Sequence, residues 1–178
     1  MNSILHILVH PTYEKSRANQ TLTGFLPRTN HITEHDLYEK YPDFDINIKK
    51  EQELLLAHDV IIFQHPIYWY SCPPLMKQWI DLVLEFGWAY GEGGTKLQGK
   101  SWVQILTTGA NESAYTKEGF HKAELFEFLL PFKRTAELCH MNYRSPFVMY
   151  GAFQKSEKEM AKVGIEFSKF IQQLLKEK

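Results

Sequence analysis

ILHILV, at residues 4–9, is a short apolar run rich in β-branched residues, which is typical of a strand buried on both faces of a sheet. A polar loop at residues 10–15 follows it. Ser16, a favoured N-cap residue, then opens a helical stretch that extends to about Leu26. A buried strand that leads through a loop into a helix is the repeating unit of parallel α/β proteins, so the first 26 residues favour that class.

Strands and helices continue to alternate along the rest of the chain. Residues 31–37 predict a more polar strand near a sheet edge, and residues 38–45 predict an ordered surface loop. Further strands are predicted at 60–63, 102–106 and 147–150, and helices at 49–58, 73–86, 123–130 (ending at Pro131) and 156–175. Five strands separated by helices predict an open parallel α/β sheet. The length fits one domain, residues 1–178.

Composition and charge narrow the range of partners and compartments. The chain has 20 Lys and Arg against 21 Asp and Glu, a net charge of -1, which gives no electrostatic reason to expect a nucleic acid or an anionic membrane as partner. Cys72 and Cys139 lie far apart without a C-x-x-C pattern, and no apolar stretch approaches the ~18 residues of a membrane span. We therefore predict a cytoplasmic protein without a signal peptide or a disulfide.

The segment at residues 73–86 carries more apolar surface than one helical stripe needs. Its apolar residues are Leu75, Met76, Trp79, Ile80, Leu82, Val83 and Phe86. One face of such a helix can pack on the sheet, and the rest requires another cover. A second copy of the chain is the simplest cover, so we predict a homodimer. An intramolecular loop is the alternative.

The end of the first strand has features of a phosphate site. In parallel α/β sheets, ligands bind beyond the carboxyl ends of the strands, near the point where strand order reverses. A helix N-terminus offers free N–H groups and a positive dipole end, and His10, Ser16 and Asn19 can add side-chain donors. The stretch lacks G-x-G-x-x-G, which disfavours a dinucleotide site of the Rossmann type. The alternative is a capped helix without a ligand.

Two further strand ends carry residues suited to a flat ligand. After Phe63 the sequence reads QHPIYWYSCPP, and its three consecutive aromatic residues, 68–70, would be costly to leave in water. A planar ring lying against them would explain them, and so would packing on a neighbouring subunit. After Leu106 come the small residues TTGAN, 107–111, which let backbone N–H groups approach the edge of a ligand and stabilise negative charge on it.

Tyr115 and His121 follow the third strand end. We predict that they polarise the carbonyl oxygen of an acceptor, although either residue taken singly is more often structural. A metal site is not predicted: the eight histidines are scattered, and the His31-x-x-x-His35 spacing lacks the glutamate of H-E-x-x-H and falls on a strand.

Taken in order, these motifs resemble the NAD(P)H:quinone oxidoreductase family. That family also includes the modulator-of-drug-activity proteins, certain bacterial general stress proteins and the ancillary subunit of glutathione-regulated potassium efflux. The pieces that carry the resemblance are His10-Pro11 with Ser16 and Asn19, Asp36-Leu37-Tyr38 with Tyr41-Pro42-Asp43, PIYWYS (66–71), Trp79-Ile80-Asp81, GWAYG (87–91), LQGK (97–100) and TTG (107–109). They run nearly end to end and resemble most the short bacterial branch.

The resemblance implies a flavodoxin-like fold: an open twisted parallel five-stranded sheet of order 2-1-3-4-5 with helices on both faces. It also implies FMN rather than FAD, because the long C-terminal extension of FAD-binding members is missing. The implied cofactor-binding residues are His10, Ser16, Arg17, Ala18, Asn19, Pro66, Ile67, Tyr68, Trp69, Thr107, Thr108, Gly109, Ala110 and Asn111. Ala110 departs from the family, since many relatives have Gly there. Tyr115 and His121 fall where quinone reductases of the family carry a Tyr and a His beside the ring, which implies a catalytic role.

The implied reaction is a ping-pong, two-electron transfer from NAD(P)H through the flavin to a quinone-type acceptor, with nitro and azo compounds as other acceptor classes. Two functions of a different class stay open. Close relatives are ancillary subunits of potassium-efflux transporters, which would make a membrane transporter the partner. A flavodoxin-type electron carrier is the other, and the near-neutral charge argues against it. No charged residue is placed to mark a preference for NADPH over NADH.

Overall fold

The centre of the protein is a parallel sheet, which has six strands within residues 1–177, the part of the chain that the computed structural model describes. The strands are β1 (Ile4–Leu8), β2 (Ile32–Asp36), β3 (Val60–Pro66), β4 (Ser101–Thr107), β5 (Asn142–Tyr143) and β6 (Phe147–Met149). Their order is β2-β1-β3-β4-β5, with β6 also paired to β4, and these pairings are all parallel. The predicted order 2-1-3-4-5 is confirmed.

Helices cover both faces of this sheet. They are α1 (Arg17–Gly24), α2 (Leu37–Lys40), α3 (Ile48–Ala57), α4 (Pro74–Val83), α5 (Leu125–Leu138) and α6 (Glu157–Lys176). Ser16 caps α1 as predicted, because its hydroxyl accepts the backbone N–H of Asn19 at 3.3 Å. No helix among residues 1–177 is both long enough and apolar enough to cross a membrane.

Side chains of the central strands alternate between two apolar clusters, one on each face. In β3, Ile61 and Phe63 join the cluster that contains residues of α3, α4 and α5, whereas Ile62 joins the cluster that contains residues of α1 and α6. Phe63 lies beside Trp79 and Trp102, with ring centroids 5.3 and 4.5 Å away. Burial on both faces is the reason that β1 and the first half of β3 are mostly apolar.

The fifth position in the sheet is divided between β5 and β6. β5 pairs with the beginning of β4, Asn142 opposite Ser101, and β6 pairs with its end, Met149 opposite Thr107. Pro146 lies between the two pieces and cannot donate a hydrogen bond to the ladder. The sequence predicted only the second piece, at 147–150, because a two-residue strand is too short to show a periodic pattern.

The prediction that a helix ends at Pro131 was wrong. α5 continues to Leu138 with Pro131 inside it, although a proline in a helix interior costs about 3 kcal/mol. The turns beyond the proline bury Phe132 and Ala136 in the core, and burial of one Phe side chain contributes roughly 1.5–3 kcal/mol. Packing of the apolar face therefore offsets much of the local preference to stop, and the helix continues through the proline.

Most of the cover for α4 comes from the same chain. Its residues Leu75, Met76, Trp79 and Val83 are buried, and both α2 and α3 contact the helix. Residues 38–45, predicted as a surface loop, start inside α2 and pack on the core, where the Gln78 amide donates to the Phe44 carbonyl at 2.8 Å. Leu82 and Phe86 stay 38% and 69% exposed. The apolar surface of α4 alone therefore does not require a second subunit.

Candidate active site

The carboxyl ends of β1, β3 and β4 meet around one cavity of about 540 Å³, a volume typical of small-molecule sites. Its lining residues are His10, Thr12, Lys15, Ser16, Arg17, Ala18, Pro66, Ile67, Tyr68, Thr107, Thr108, Gly109, Ala152 and Phe153. The structure thus brings together most of the predicted cofactor-binding residues. Those that do not line the cavity are Asn19, Trp69, Ala110 and Asn111.

The N-terminus of α1 forms the polar end of the cavity. The first turn of a helix leaves N–H groups without partners inside the helix. The Ser16 hydroxyl accepts the backbone N–H of Asn19. The backbone N–H groups of Arg17 and Ala18, two residues that line the cavity, stay available to a ligand. Lys15 and Arg17 place two positive charges at the same end. Free N–H groups, the helix dipole and two cations together suit a phosphate monoester.

His10, just after β1, is a neutral hydrogen-bond donor at the cavity wall. Its Nδ1 accepts the N–H of Thr12 at 3.2 Å, which leaves the ring proton on Nε2. Burial lowers the pKa of His10, with Glu14 and Asp36 acting in the opposite direction, so the ring is neutral at pH 7. The ring meets that of Tyr68 edge-on, with centroids 6.2 Å apart. This contact joins the first strand end to the second.

Asn19 lies beneath the cavity instead of on its wall. The side chain is fully buried, and its amide donates to the Ser16 hydroxyl at 3.0 Å and to the Thr107 hydroxyl at 3.1 Å. It thereby ties the first turn of α1 to the end of β4. Asn19 acts on the cavity through these two neighbours, both of which line it.

The segment after β3 forms a tight turn with Trp69 and Tyr70 at its tip. Tyr68 and Ser71 exchange backbone hydrogen bonds of 3.2 and 2.9 Å across it. The φ angles of Trp69 and Tyr70 are +48° and +62°, the left-handed pair of a type I′ turn, which normally requires Asn or Gly. A residue with a Cβ is strained there by roughly 1–2 kcal/mol. Tyr70 packs beside the ring of Phe128, with centroids 5.0 Å apart, whereas Trp69 is 93% exposed, so packing within the chain can offset the strain at Tyr70 but not at Trp69.

The loops after β4 and β6 are bonded to each other. Thr108 donates its N–H to the Met149 carbonyl at 3.1 Å, and Ala152 donates its N–H to the Thr108 carbonyl at 2.8 Å. The exposed ring of Phe153 lies over Gly109, where an added Cβ would come within 3.0 Å of the ring. Asn111 lines a separate surface depression on the far side of this loop.

Four of the lining residues were missed by the sequence analysis. Thr12 and Lys15 lie within the predicted phosphate stretch, but neither is a conspicuous signal on its own. Ala152 and Phe153 follow β6, whose carboxyl end reaches the same edge of the sheet as the other three. The rule that ligands bind at carboxyl ends would have found this fourth segment if it had been applied to the last strand.

Tyr115 and His121 stack on each other, with ring centroids 4.5 Å apart and planes inclined by 30°. The backbone N–H of His121 donates to the Ala114 carbonyl at 3.0 Å and closes the loop that pairs them. Tyr70 meets the His121 ring edge-on at 5.5 Å. The structure therefore brings the two predicted catalytic residues together, beside the strained turn, but neither lines the 540 Å³ cavity.

The hydroxyl of Tyr115 keeps its proton at neutral pH. Burial raises the pKa of Tyr115, and the side chain is 8% exposed. Neither ring nitrogen of His121 has a hydrogen-bond partner among residues 1–177. A shielded imidazole without a partner is costly, so a ligand that approaches this pair would find both a donor and unused hydrogen-bonding capacity.

A parallel sheet of order 2-1-3-4-5 with a phosphate-suited helix end between β1 and β3 defines a flavodoxin-like protein. The sequence profile of the family described as "flavodoxin-like fold" matches residues 2–170. The chain belongs to this family.

Three similar proteins illustrate the range of the family. The glutathione-regulated potassium-efflux system ancillary protein KefG of Erwinia tasmaniensis is 43% identical over 157 residues, 88% of this chain and 85% of that protein. The general stress protein 14 of Treponema denticola, solved in complex with FMN, is 35% identical with a TM-score of 0.91, covering 97% of this chain and 99% of that chain. The NADPH-quinone reductase of P. pentosaceus is 27% identical with a TM-score of 0.85, covering 94% and 96%.

Proposed function

We propose that the chain is an FMN-dependent NAD(P)H oxidoreductase that reduces quinone-type acceptors by two electrons. The observation that carries the proposal is the cavity at the β1–β3 switch point, where an anion-binding helix end meets two loops suited to a flat ring. The Treponema relative, whose solved structure contains FMN, supports the choice of cofactor. The reductase named among the structural neighbours supports the reaction class.

The chemistry of the lining residues fits the phosphate end of the flavin. The N–H groups of Arg17 and Ala18, the hydroxyls of Ser16 and Thr107 and the positive charge of Lys15 are all suited to an anion. No Asp or Glu occurs among the cavity-lining residues of the described chain, so no carboxylate opposes a phosphate there. Such a site suits a mononucleotide, and it lacks the glycine-rich loop of a dinucleotide site.

The remaining lining residues fit the ring end. Pro66, Ile67 and Tyr68 form one side, and the Thr108–Gly109 loop forms the other. When bound, the flavin supplies hydride transfer from NAD(P)H to the acceptor, while the chain orients the reactants and excludes water. Tyr115 retains its proton and acts as the donor to the oxygen of the acceptor, and the stacked His121 fixes its ring.

An absorbance spectrum of the purified protein, recorded before and after anaerobic addition of NADPH, tests this function. Flavin bands that bleach within the mixing time and return when a quinone is added are the expected result. Reconstitution with added FMN precedes the test if the protein is isolated without it. A protein that stays colourless in excess FMN and does not oxidise NADPH would contradict the enzyme proposal.

A second candidate is an ancillary subunit of a potassium-efflux transporter, which the 43% identity to KefG of Erwinia tasmaniensis favours. The two functions are compatible, because a flavin site and a docking surface can occupy different faces of one chain. If the protein is colourless but co-purifies with such a transporter, the subunit role would be supported and the enzyme role would not. A long-lived one-electron state in a reductive titration would instead favour an electron carrier.

We also propose that the single domain works in the cytoplasm as a homodimer, with the exposed aromatic residues near the cavity at the interface. Trp69, Phe120 and Phe153 are 93%, 82% and 88% exposed. Large exposed apolar surface of this kind is typical of a protein–protein interface. Light scattering should give twice the chain mass of 20.9 kDa. A mass of one chain at micromolar concentration would exclude a stable dimer.

A further inference from the structure

A continuous chain of buried polar side chains runs beneath the cavity, from β1 through β3 to α1 and β4. His6 is 1% exposed, and Gln64 and Asn19 are 0% exposed. His6 Nε2 lies 2.9 Å from Gln64 Oε1, and Gln64 Nε2 lies 3.2 Å from Asn19 Oδ1. Polar groups in the two central strands of an apolar sheet are costly unless every one is paired, so their presence needs a reason beyond stability.

The backbone carbonyl of Asn19 fixes the direction of the hydrogen bonds that link His6, Gln64 and Asn19. Its carbonyl can only accept, and Gln64 Nε2 donates to it at 3.1 Å. The nitrogen of Gln64 therefore faces Asn19 and its oxygen faces His6, which must donate from Nε2. Asn19 presents its own oxygen to Gln64, so its amide nitrogen faces the hydroxyls of α1 and β4. One orientation of both amides satisfies all of these contacts.

His6 is in the state that this direction requires. Burial lowers the pKa of His6 to about 4, with the hydrogen bond to Gln64 acting in the opposite direction, so the ring is neutral at pH 7. With the proton on Nε2, Nδ1 carries no hydrogen and can act only as a hydrogen-bond acceptor. Nδ1 indeed has no partner among residues 1–177, which is less costly for an imidazole acceptor than for an unpaired N–H.

The consequence appears at the cavity wall. The Ser16 hydroxyl oxygen accepts two hydrogen bonds, from the backbone N–H and from the side-chain amide of Asn19, at 3.3 and 3.0 Å. Both of its lone pairs are used, and only its proton is left for a ligand. The Thr107 hydroxyl also accepts from Asn19, at 3.1 Å, and its proton is likewise free. A phosphate dianion can only accept, so both hydroxyls are set in the direction that it requires.

We infer that His6 and Gln64 are positioning residues for the flavin phosphate, acting through Asn19 to hold the Ser16 and Thr107 hydroxyls as donors. The inference rests on the proposed flavin function. It concerns the phosphate alone: the ring end of the cavity is formed by Pro66 to Tyr68 and by Thr108 and Gly109, none of which the chain of hydrogen bonds reaches.

The test compares the affinities of the apoprotein for FMN and for riboflavin, which has the same ring without the phosphate. The FMN to riboflavin ratio, defined as the affinity for FMN divided by the affinity for riboflavin, isolates the contribution of the phosphate. In Gln64→Leu the Asn19 amide is free to turn, and we expect FMN affinity to fall about tenfold, the size of one hydrogen bond to a charged group, while riboflavin affinity stays within twofold. A general loss of structure would weaken both ligands together and leave the ratio unchanged.

Gln104→Leu is the matched control. Gln104 is also 0% exposed in the central sheet and also bonds a buried histidine, His65, at 3.0 Å, but its contacts lead to Tyr143 and to the Pro66 carbonyl. Its FMN to riboflavin ratio should stay within twofold of the wild type. If Gln64→Leu does not fold, His6→Phe keeps a ring in the same space and should lower the ratio about threefold.

The outcomes separate the two claims. If the wild-type apoprotein binds neither flavin, the proposed function fails and the inference fails with it. If the wild type binds FMN more tightly than riboflavin and the ratio is unchanged in a folded Gln64→Leu or His6→Phe variant, only the inference is overturned. A fall in the ratio that is equal in Gln64→Leu and Gln104→Leu also overturns it, because burial and not the direction of the hydroxyls would then be the cause.

Discussion

Replacing Glu51 by Ala should lower the free energy of unfolding by about 3–5 kcal/mol, because three hydrogen-bond donors lose their acceptor at a cost of roughly 1–3 kcal/mol for each donor that stays buried. Glu51 in α3 is 1% exposed, and its carboxylate accepts three donors. These come from the Tyr41 hydroxyl at 2.6 Å, the Trp79 indole N–H at 2.7 Å and His35 Nε2 at 2.9 Å. The Ala variant leaves three donors in the interior without an acceptor.

Thermal and urea unfolding measure this loss, with two controls on the same helix. In a domain of this size, about 3 kcal/mol corresponds to a fall in Tm of roughly 6–12 °C. Glu53→Ala, an exposed position of α3, should change stability by less than about 0.5 kcal/mol. Glu51→Gln keeps one acceptor oxygen and should fall between the two. If Glu51→Ala were as stable as Glu53→Ala, the carboxylate would not hold these segments together.

The contribution of Glu51 should also depend on pH. Burial alone raises the pKa of Glu51, but the hydrogen bonds from His35, Tyr41 and Trp79 together outweigh it and leave that pKa below its ordinary value. A carboxyl whose pKa is lower in the folded state stabilises the fold above the pKa of the unfolded chain. That stability is lost as the pH falls through the folded-state pKa. The difference between wild type and Glu51→Ala should therefore be constant near neutral pH and shrink in acid.

The hydrogen bonds to Glu51 also show which part of the fold could not be predicted from the sequence. Short runs such as residues 60–63, and residues 4–8 apart from His6, are typical of strands buried on both faces, and the sheet was predicted from them. Residues 38–45 carry Pro, Asp and Tyr, a composition typical of surface loops. Tyr41 packs inward because the carboxylate of Glu51, which lies outside this segment in the following helix, is buried beside it. Local composition holds no information about that partner.

Much of the candidate site could be predicted, because the carboxyl-end rule depends on topology and not on side-chain geometry. The rule could not decide which residues face the cavity and which lie beneath it. Asn19 and Ser16 are three residues apart on one helix turn, yet one is fully buried and the other lines the cavity. Nor could sequence predict that Trp69 and Tyr70 adopt left-handed backbone angles, since their local preference is against it. Strain of this kind is expected at functional sites.

Tyr115→Phe should lower the rate of quinone reduction by about 100-fold, the lower end of what a positioned proton donor contributes, and leave FMN binding intact. The variant keeps the ring that stacks on His121 at 4.5 Å and loses only the hydroxyl. Tyr115 does not line the cavity, so we expect flavin content to stay unchanged. Stopped-flow oxidation of the reduced enzyme by a quinone measures this step separately from reduction by NADPH.

Tyr150→Phe is the matched control, because its ring lies 5.8 Å from that of Tyr115 and burial raises the pKa of both hydroxyls. We expect its rate to stay within twofold of the wild type, since no catalytic role is proposed for it. The raised pKa of Tyr115 also means that its proton is present throughout pH 6–9, so the wild-type rate should not fall in this range through loss of that proton. Loss of FMN from Tyr115→Phe would make the residue structural. A normal rate with FMN bound would transfer the donor role to His121, whose ring nitrogens are both without a partner in residues 1–177.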